Sequence, residues 1–192
     1  GSSRGKFNGT AIEISKDGKS FEVLATGLRQ PYIGYNAEEG ILTASDQQGN
    51  WKPATPIYRI ERGRYFGFQP AKLKDQAVHP APIDAPEVWI PHFVNQSGAS
   101  QVWLNGTDQM ADLKGSLIHI GYNRPEIFKI YLQENGNQGA AVPLLSGFPA
   151  GVLNGAVNPM DGLLYLCGFE IWGTSGEDIS GLFRVRPGNK SS

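Results

Sequence analysis

The chain has 192 residues, a formal net charge of −1 and only 18% charged residues. That is enough for one domain with a substantial core, and without a basic stripe it excludes nucleic acid and anionic membrane surfaces as electrostatic partners. Its 25 Gly and 13 Pro favour short strands and tight turns over helices. The longest apolar run, residues 162–169, falls far short of a bilayer span, and the single Cys167 excludes an intrachain disulfide and reads as a small core residue.

In chain order, residues 10–15 and 21–25 alternate apolar and polar around Lys16-Asp17-Gly18-Lys19, which predicts a hairpin. Four strands are then predicted at 31–35, 41–45, 57–61 and 65–68, with Gly63 and Gly67 supplying a turn and a bulge. Residues 71–86 carry four prolines with little periodicity and read as an irregular surface insertion. A second set of four strands is predicted at 100–104, 116–120, 126–132 and 140–145, and a set of three at 152–157, 163–168 and 181–185. Helix is limited to a single turn at 109–113.

One unit is written twice. Gly27-Leu28-Arg29-Gln30-Pro31 leads through Tyr35-Asn36 to Glu39-Gly40-Ile41-Leu42-Thr43-Ala44, and Gly147-Phe148-Pro149-Ala150-Gly151 leads through Val157-Asn158-Pro159 to Asp161-Gly162-Leu163-Leu164-Tyr165-Leu166. A weaker copy of the second strand sits at 115–120. Such repeats of four-stranded units imply an all-β chain forming a partial β-propeller. The expected architecture is about three blades of four-stranded antiparallel sheets, half of a six-bladed ring, in one segment over 1–192. Its blade parts fall at about 10–25, 27–70, 98–146 and 150–187, with the insertion at 71–86. An open arc leaves sheet faces and edges uncovered, so the remaining half of the ring or another chain is expected as a partner. The other architecture compatible with these strands is a small closed sandwich or barrel.

In a propeller the loops entering a blade and those joining its second and third strands share one rim. On this register the first class holds Leu28-Arg29-Gln30, residues 91–98 with His92, and Phe148-Pro149-Ala150-Gly151; the second holds residues 46–51, Tyr122-Asn123-Arg124 and residues 170–174. These loops gather arginines, a histidine, tryptophans and amides. Aromatic faces stack on planar cofactors or sugars, arginine forks onto carboxylates, and amides with glycine carbonyls suit hydroxyl groups or a hard cation. Each residue also has a structural reading. Arg29 can brace its own turn, and His92 can be a packed histidine. Trp51 and Trp172 can pack blade edges, and Asp46 with Glu170 forms a carboxylate pair only if their blades meet. His79 reads as solvent-exposed, His119 as structural, and Trp89 and Trp103 as core. The common hydrolase, zinc, haem and nucleotide motifs are absent. Four sequons, at Asn8, Asn95, Asn105 and Asn189, weigh toward an exported protein.

The run Ala25-Thr26-Gly27-Leu28-Arg29-Gln30-Pro31, followed by Asn36, Gly40-Ile41-Leu42 and Ser45-Asp46-Gln47-Gln48-Gly49-Asn50-Trp51, resembles the glucose/sorbosone dehydrogenase-like propellers. Val88-Trp89-Ile90-Pro91-His92, residues 151–165 and Gly181-Leu182-Phe183-Arg184-Val185 look like the exported bacterial branch of that family. The resemblance implies a six-bladed, secreted or periplasmic propeller that oxidises a sugar or polyol with pyrroloquinoline quinone and Ca2+ and passes electrons to an external acceptor. It implies that Arg29 contacts cofactor and substrate and that Gln30 and Asn50 bond the cofactor. The backbone at Gln48 and Gly49 falls where the family holds calcium, although the family's Pro is missing there. Trp51, Arg124 and Trp172 are further candidates for the cofactor surface, and His92 for catalysis beside Arg29. The family's histidine base lies upstream of the arginine loop, in sequence this chain does not contain. Two rivals remain: a non-catalytic carbohydrate- or protein-binding propeller, and a propeller lyase or hydrolase using His92 with Tyr122 or Arg124.

Overall fold

A computed structural model of the chain describes residues 7–47, 52–68, 82–106, 109–134 and 138–188. The hairpin of β1 (Ala11–Ile14) and β2 (Phe21–Thr26) forms the first sheet, and the two-residue β6 (Arg64–Tyr65) adds to β2 in parallel. The second sheet is β3 (Tyr32–Asn36), β4 (Ile41–Ser45), β5 (Ala54–Arg59) and β7 (Val88–Pro91), antiparallel and in chain order. The third is β8 (Gly98–Trp103), β9 (Leu117–Gly121), β10 (Glu126–Tyr131) and β11 (Ala140–Ser146). The fourth is β12 (Asn154–Val157), β13 (Leu164–Phe169) and β14 (Ser180–Val185). Among the described residues, a 3-10 turn at Ala111–Leu113 interrupts the strands.

The four sheets stay separate in hydrogen bonding and pack face on face, with β3, β8 and β12 side by side and β7 beside β11. This is a partial β-propeller rather than a closed sandwich or barrel: each sheet is a blade, and β3, β8 and β12 are the inner strands. The second blade differs from the sequence expectation, because its fourth strand is Val88–Pro91 and not residues 65–68. Val88 and Ile90 are buried toward the third sheet, giving that segment the apolar alternation a blade needs. Arg64 and Tyr65 instead extend the first sheet, opposite Ala25 and Thr26.

Three apolar clusters fill the gaps between sheets. Leu28, Ala44, Tyr58, Ile60 and Phe66 join the first sheet to the second; Ile57, Val88, Ile90, Phe128 and Ile130 join the second to the third; Ile118, Ile120, Ile127, Leu164 and Leu166 join the third to the fourth. All five residues of β9 are buried, since sheets cover both its faces. β14 alternates exposed and half-buried residues, because only one face is covered. That open face carries Phe169, Leu182 and Cys167, so the cysteine is exposed rather than in the core. The first sheet supplies no inner strands beside β3, so Ile33 and Tyr35 are exposed on that side.

The repeated sequence unit is a repeated turn. Asn36 Oδ1 accepts the Glu38 N–H at 3.0 Å and Asn158 Oδ1 accepts the Met160 N–H at 3.0 Å, the side-chain turn that makes asparagine useful there. Gly27 and Gly147 share a φ of 79°, which a side chain rarely adopts, where β2 and β11 each lead into the loop before the next blade.

Candidate functional site

Tyr32 pairs with Ser45, Gly98 with Gly121 and Asn154 with Cys167, so each β-strand that begins a blade starts at the end where the next one finishes. The loops after β2, β4, β7, β9, β11 and β13 therefore emerge on one rim. Arg29 and Gln30 lie in the first, His92 in the third, Arg124 in the fourth and Trp172 in the sixth. Gln48, Gly49, Asn50 and Trp51, in the second, and His79 lie outside the described residues.

One part of this rim is built on Asp46, just after β4. Its side chain is 1% exposed and both oxygens accept backbone N–H groups: Arg29 at 2.8 Å, Gln30 at 2.7 Å and Gln47 at 2.9 Å. Burial pushes the Asp46 carboxyl up, opposed by those three bonds and by the Lys52 charge. Lys52 bonds the Tyr58 hydroxyl and the Phe66 carbonyl, the latter at 3.2 Å, and lies over the Trp89 ring at 5.2 Å. Burial pulls the Lys52 ammonium down and pushes the Tyr58 phenol up. Trp89, expected in the core, is thus half-exposed beneath a cation. Leu28 is fully buried and donates its N–H to the Gly9 carbonyl at 3.0 Å. Arg29 itself is half-buried, and its guanidinium makes no hydrogen bond or ion pair with any described residue. Gln30 is exposed beside it.

The other candidates are more occupied. Arg124 donates to the Phe93 carbonyl and so ties two loops together. It also edges a cleft of about 610 Å³ lined by Glu126, Phe148, Ser175 and Asp178. The Tyr122 hydroxyl, in a residue 2% exposed, accepts the Ile171 and Trp172 N–H groups at 2.6 and 3.1 Å and donates to the Trp172 carbonyl at 2.7 Å. These bonds give the Tyr122 phenol a structural role, tying β9's loop to the Ile171–Trp172 backbone. Trp172 is 42% exposed, its ring tilted against that of Tyr122 at 4.8 Å. His92 is exposed at the outer start of its loop, next to β7. Asp46 is buried in the second blade and Glu170 exposed in the fourth, with the third blade between them, so they form no carboxylate pair.

Beneath the rim, the second and third blades meet through buried polar groups. Thr43 Oγ1 donates to Gln101 Oε1 at 2.7 Å and Ser45 Oγ to the Ala99 carbonyl at 2.6 Å. His119 is fully buried, its Nε2 3.3 Å from Asn95 Oδ1, and burial alone pulls its pKa down to about 3. With Nε2 protonated, the neutral ring braces the loop that carries His92.

No protein-family model and no curated protein sequence matches this chain. Solved structures do. A glucose dehydrogenase is similar over 91% of this chain and 49% of its own, with a TM-score of 0.65 and 18% identity. The PQQ-bound aldose sugar dehydrogenase of Streptomyces coelicolor is similar over 83% of this chain and 45% of its own, with a TM-score of 0.57 and 16% identity. The soluble aldose sugar dehydrogenase of Escherichia coli, in its apo-form, is similar over 84% and 45%, with a TM-score of 0.59 and 14% identity. The chain spans about half the length of these structures. The resemblance read from the sequence therefore holds at the level of fold. No helix among the described residues is long and apolar enough to cross a membrane.

Proposed function

We propose that this chain is part of an exported sugar- or polyol-oxidising propeller whose rim binds pyrroloquinoline quinone. The observation that carries the reading is Arg29: a half-buried residue on a fixed loop, whose guanidinium has no protein partner among the described residues. Desolvating such a cation without a partner is costly, and a ligand carboxylate or carbonyl oxygen would offset that cost. The quinone's chemistry suits this donor, since it offers both groups on one planar frame. When bound, the quinone would take up hydride from the substrate carbinol and pass electrons to an external acceptor.

Arg29 would fork onto the cofactor and orient the substrate hydroxyl, Gln30 would bond at the ring edge, and Trp172 would stack. Arg124 and the loop segments at Asn50 and Trp51 would complete the wall. His119 is buried and neutral, so uptake of the hydroxyl proton falls to His92 or to a base outside this chain. Ca2+ is carried less well. Gln48 and Gly49 lie outside the described residues, and the neighbouring Asp46 has both oxygens taken by N–H groups. A second reading, a rim that binds carbohydrate without oxidising it, is favoured by the exposure of Phe93 and Trp172.

The test is dye reduction by the protein carrying this chain, with quinone and calcium added and a panel of sugars and polyols. Turnover that depends on the quinone supports the dehydrogenase reading. Sugar binding with no quinone dependence supports the second reading and overturns the first.

A further inference from the structure

We propose that Asp46 is the positioning residue of this rim: its buried carboxylate fixes the Arg29–Gln30 backbone and so determines where the guanidinium points. The inference rests on the reading of Arg29 as a ligand anchor, but its geometry stands separately. A carboxylate placed 1% exposed inside a blade carries a desolvation cost, which here is offset in part by three backbone donors. Two of those donors belong to consecutive residues of another strand's loop, 17 and 16 positions away in sequence. Consecutive N–H groups converging on one anion set the orientation of both peptide planes. The Cα–Cβ directions of Arg29 and Gln30 are thereby set relative to Asp46.

The loop is held at three successive residues. Leu28 is fully buried in the cluster between the first two sheets, and Arg29 and Gln30 are held by Asp46. Pro31 follows with its φ already restricted. An arginine carried on a mobile loop would lose rotational freedom on meeting a ligand, and this arrangement removes that loss in advance. Asparagine at 46 is nearly isosteric, but it replaces one acceptor oxygen with an amide donor that faces an N–H.

The experiment compares the wild-type chain with Asp46→Asn and Asp46→Glu by amide hydrogen exchange and then by quinone titration. In the wild type, the Arg29 and Gln30 amides should be protected although they lie in a loop; exchange at the rate of an open loop would overturn the clamp, even if Asp46→Asn does not fold. In Asp46→Asn those two amides should exchange about tenfold faster or more, with Asp46→Glu recovering part of the protection. Quinone affinity should fall about tenfold in Asp46→Asn, but should not fall further when Asp46→Asn is added to Arg29→Ala. Equal losses in both backgrounds would show a general packing role and overturn positioning through Arg29. If Arg29→Ala leaves quinone affinity unchanged, the cofactor reading fails, while the exchange result still decides the clamp.

Discussion

Acid should weaken this fold through one histidine. His119 is fully buried between the second and third blades, with a pKa of about 3 against an ordinary 6.5. Because the folded value is the lower one, the unfolded chain takes up the proton first. The contribution of His119 is therefore intact above pH 6.5 and is lost as the pH falls toward 3. At 1.36 kcal/mol per pH unit, the loss by pH 5 is about 2 kcal/mol, a large share of a small domain's stability. Urea unfolding at pH 7.5 and pH 5 measures it, with His119→Gln as the reference, since glutamine can donate to Asn95 but does not titrate. The other acids and bases are common to both proteins and cancel in the comparison. The variant should lose about 2 kcal/mol less than the wild type across this interval. Identical pH dependence in the two would refute the reasoning, because it would mean that position 119 is not a buried, neutral imidazole.

Three further outcomes follow from the geometry. Gly27→Ala should destabilise the chain by about 1–3 kcal/mol, since φ is 79° and a Cβ would stand 2.6 Å from the Gly67 nitrogen; a thermal melt reads this directly. Thr43→Val removes the donor to Gln101 inside a buried seam and should cost about 1–3 kcal/mol in urea unfolding. Leu182→Lys, on the open face of the fourth sheet and 74% exposed, should change the stability of this chain by less than about 0.5 kcal/mol. The same change should impair assembly with whatever sheet covers that face, seen by sedimentation of the larger assembly.

The strands were legible because alternation and glycine punctuation are local. The hairpin at β1 and β2 and all four strands of the third blade fall where periodicity put them. The repeated Asn turn was legible because its side-chain bonds reach only two or three residues along the chain. Which strand completes the second blade was not, because residues 65–68 and 88–91 both carry apolar alternation and only the packing of Val88 and Ile90 on the third sheet decides. At the site, Arg29 stood out from its Gly-Leu-Arg-Gln-Pro loop. The role of Asp46 did not, since its partners are backbone groups that leave no trace in residue type. A single acid at a strand end, followed by two glutamines, was the available signal. Tyr122 and Arg124 read in sequence as rim candidates, and their polar atoms are bound to carbonyls and N–H groups of neighbouring loops. Cys167 was misplaced because burial in the fourth sheet depends on a neighbour that covers only one of its faces.

The central claim is that Arg29 anchors a planar, carboxylate-bearing ligand at the rim. Calorimetric titration of pyrroloquinoline quinone into the wild-type protein and into Arg29→Ala tests it most directly. The account predicts saturable binding to the wild type, weakened at least tenfold in the variant, with the unfolding midpoint unchanged. Equal affinity in the two proteins, or no binding to either, would contradict it.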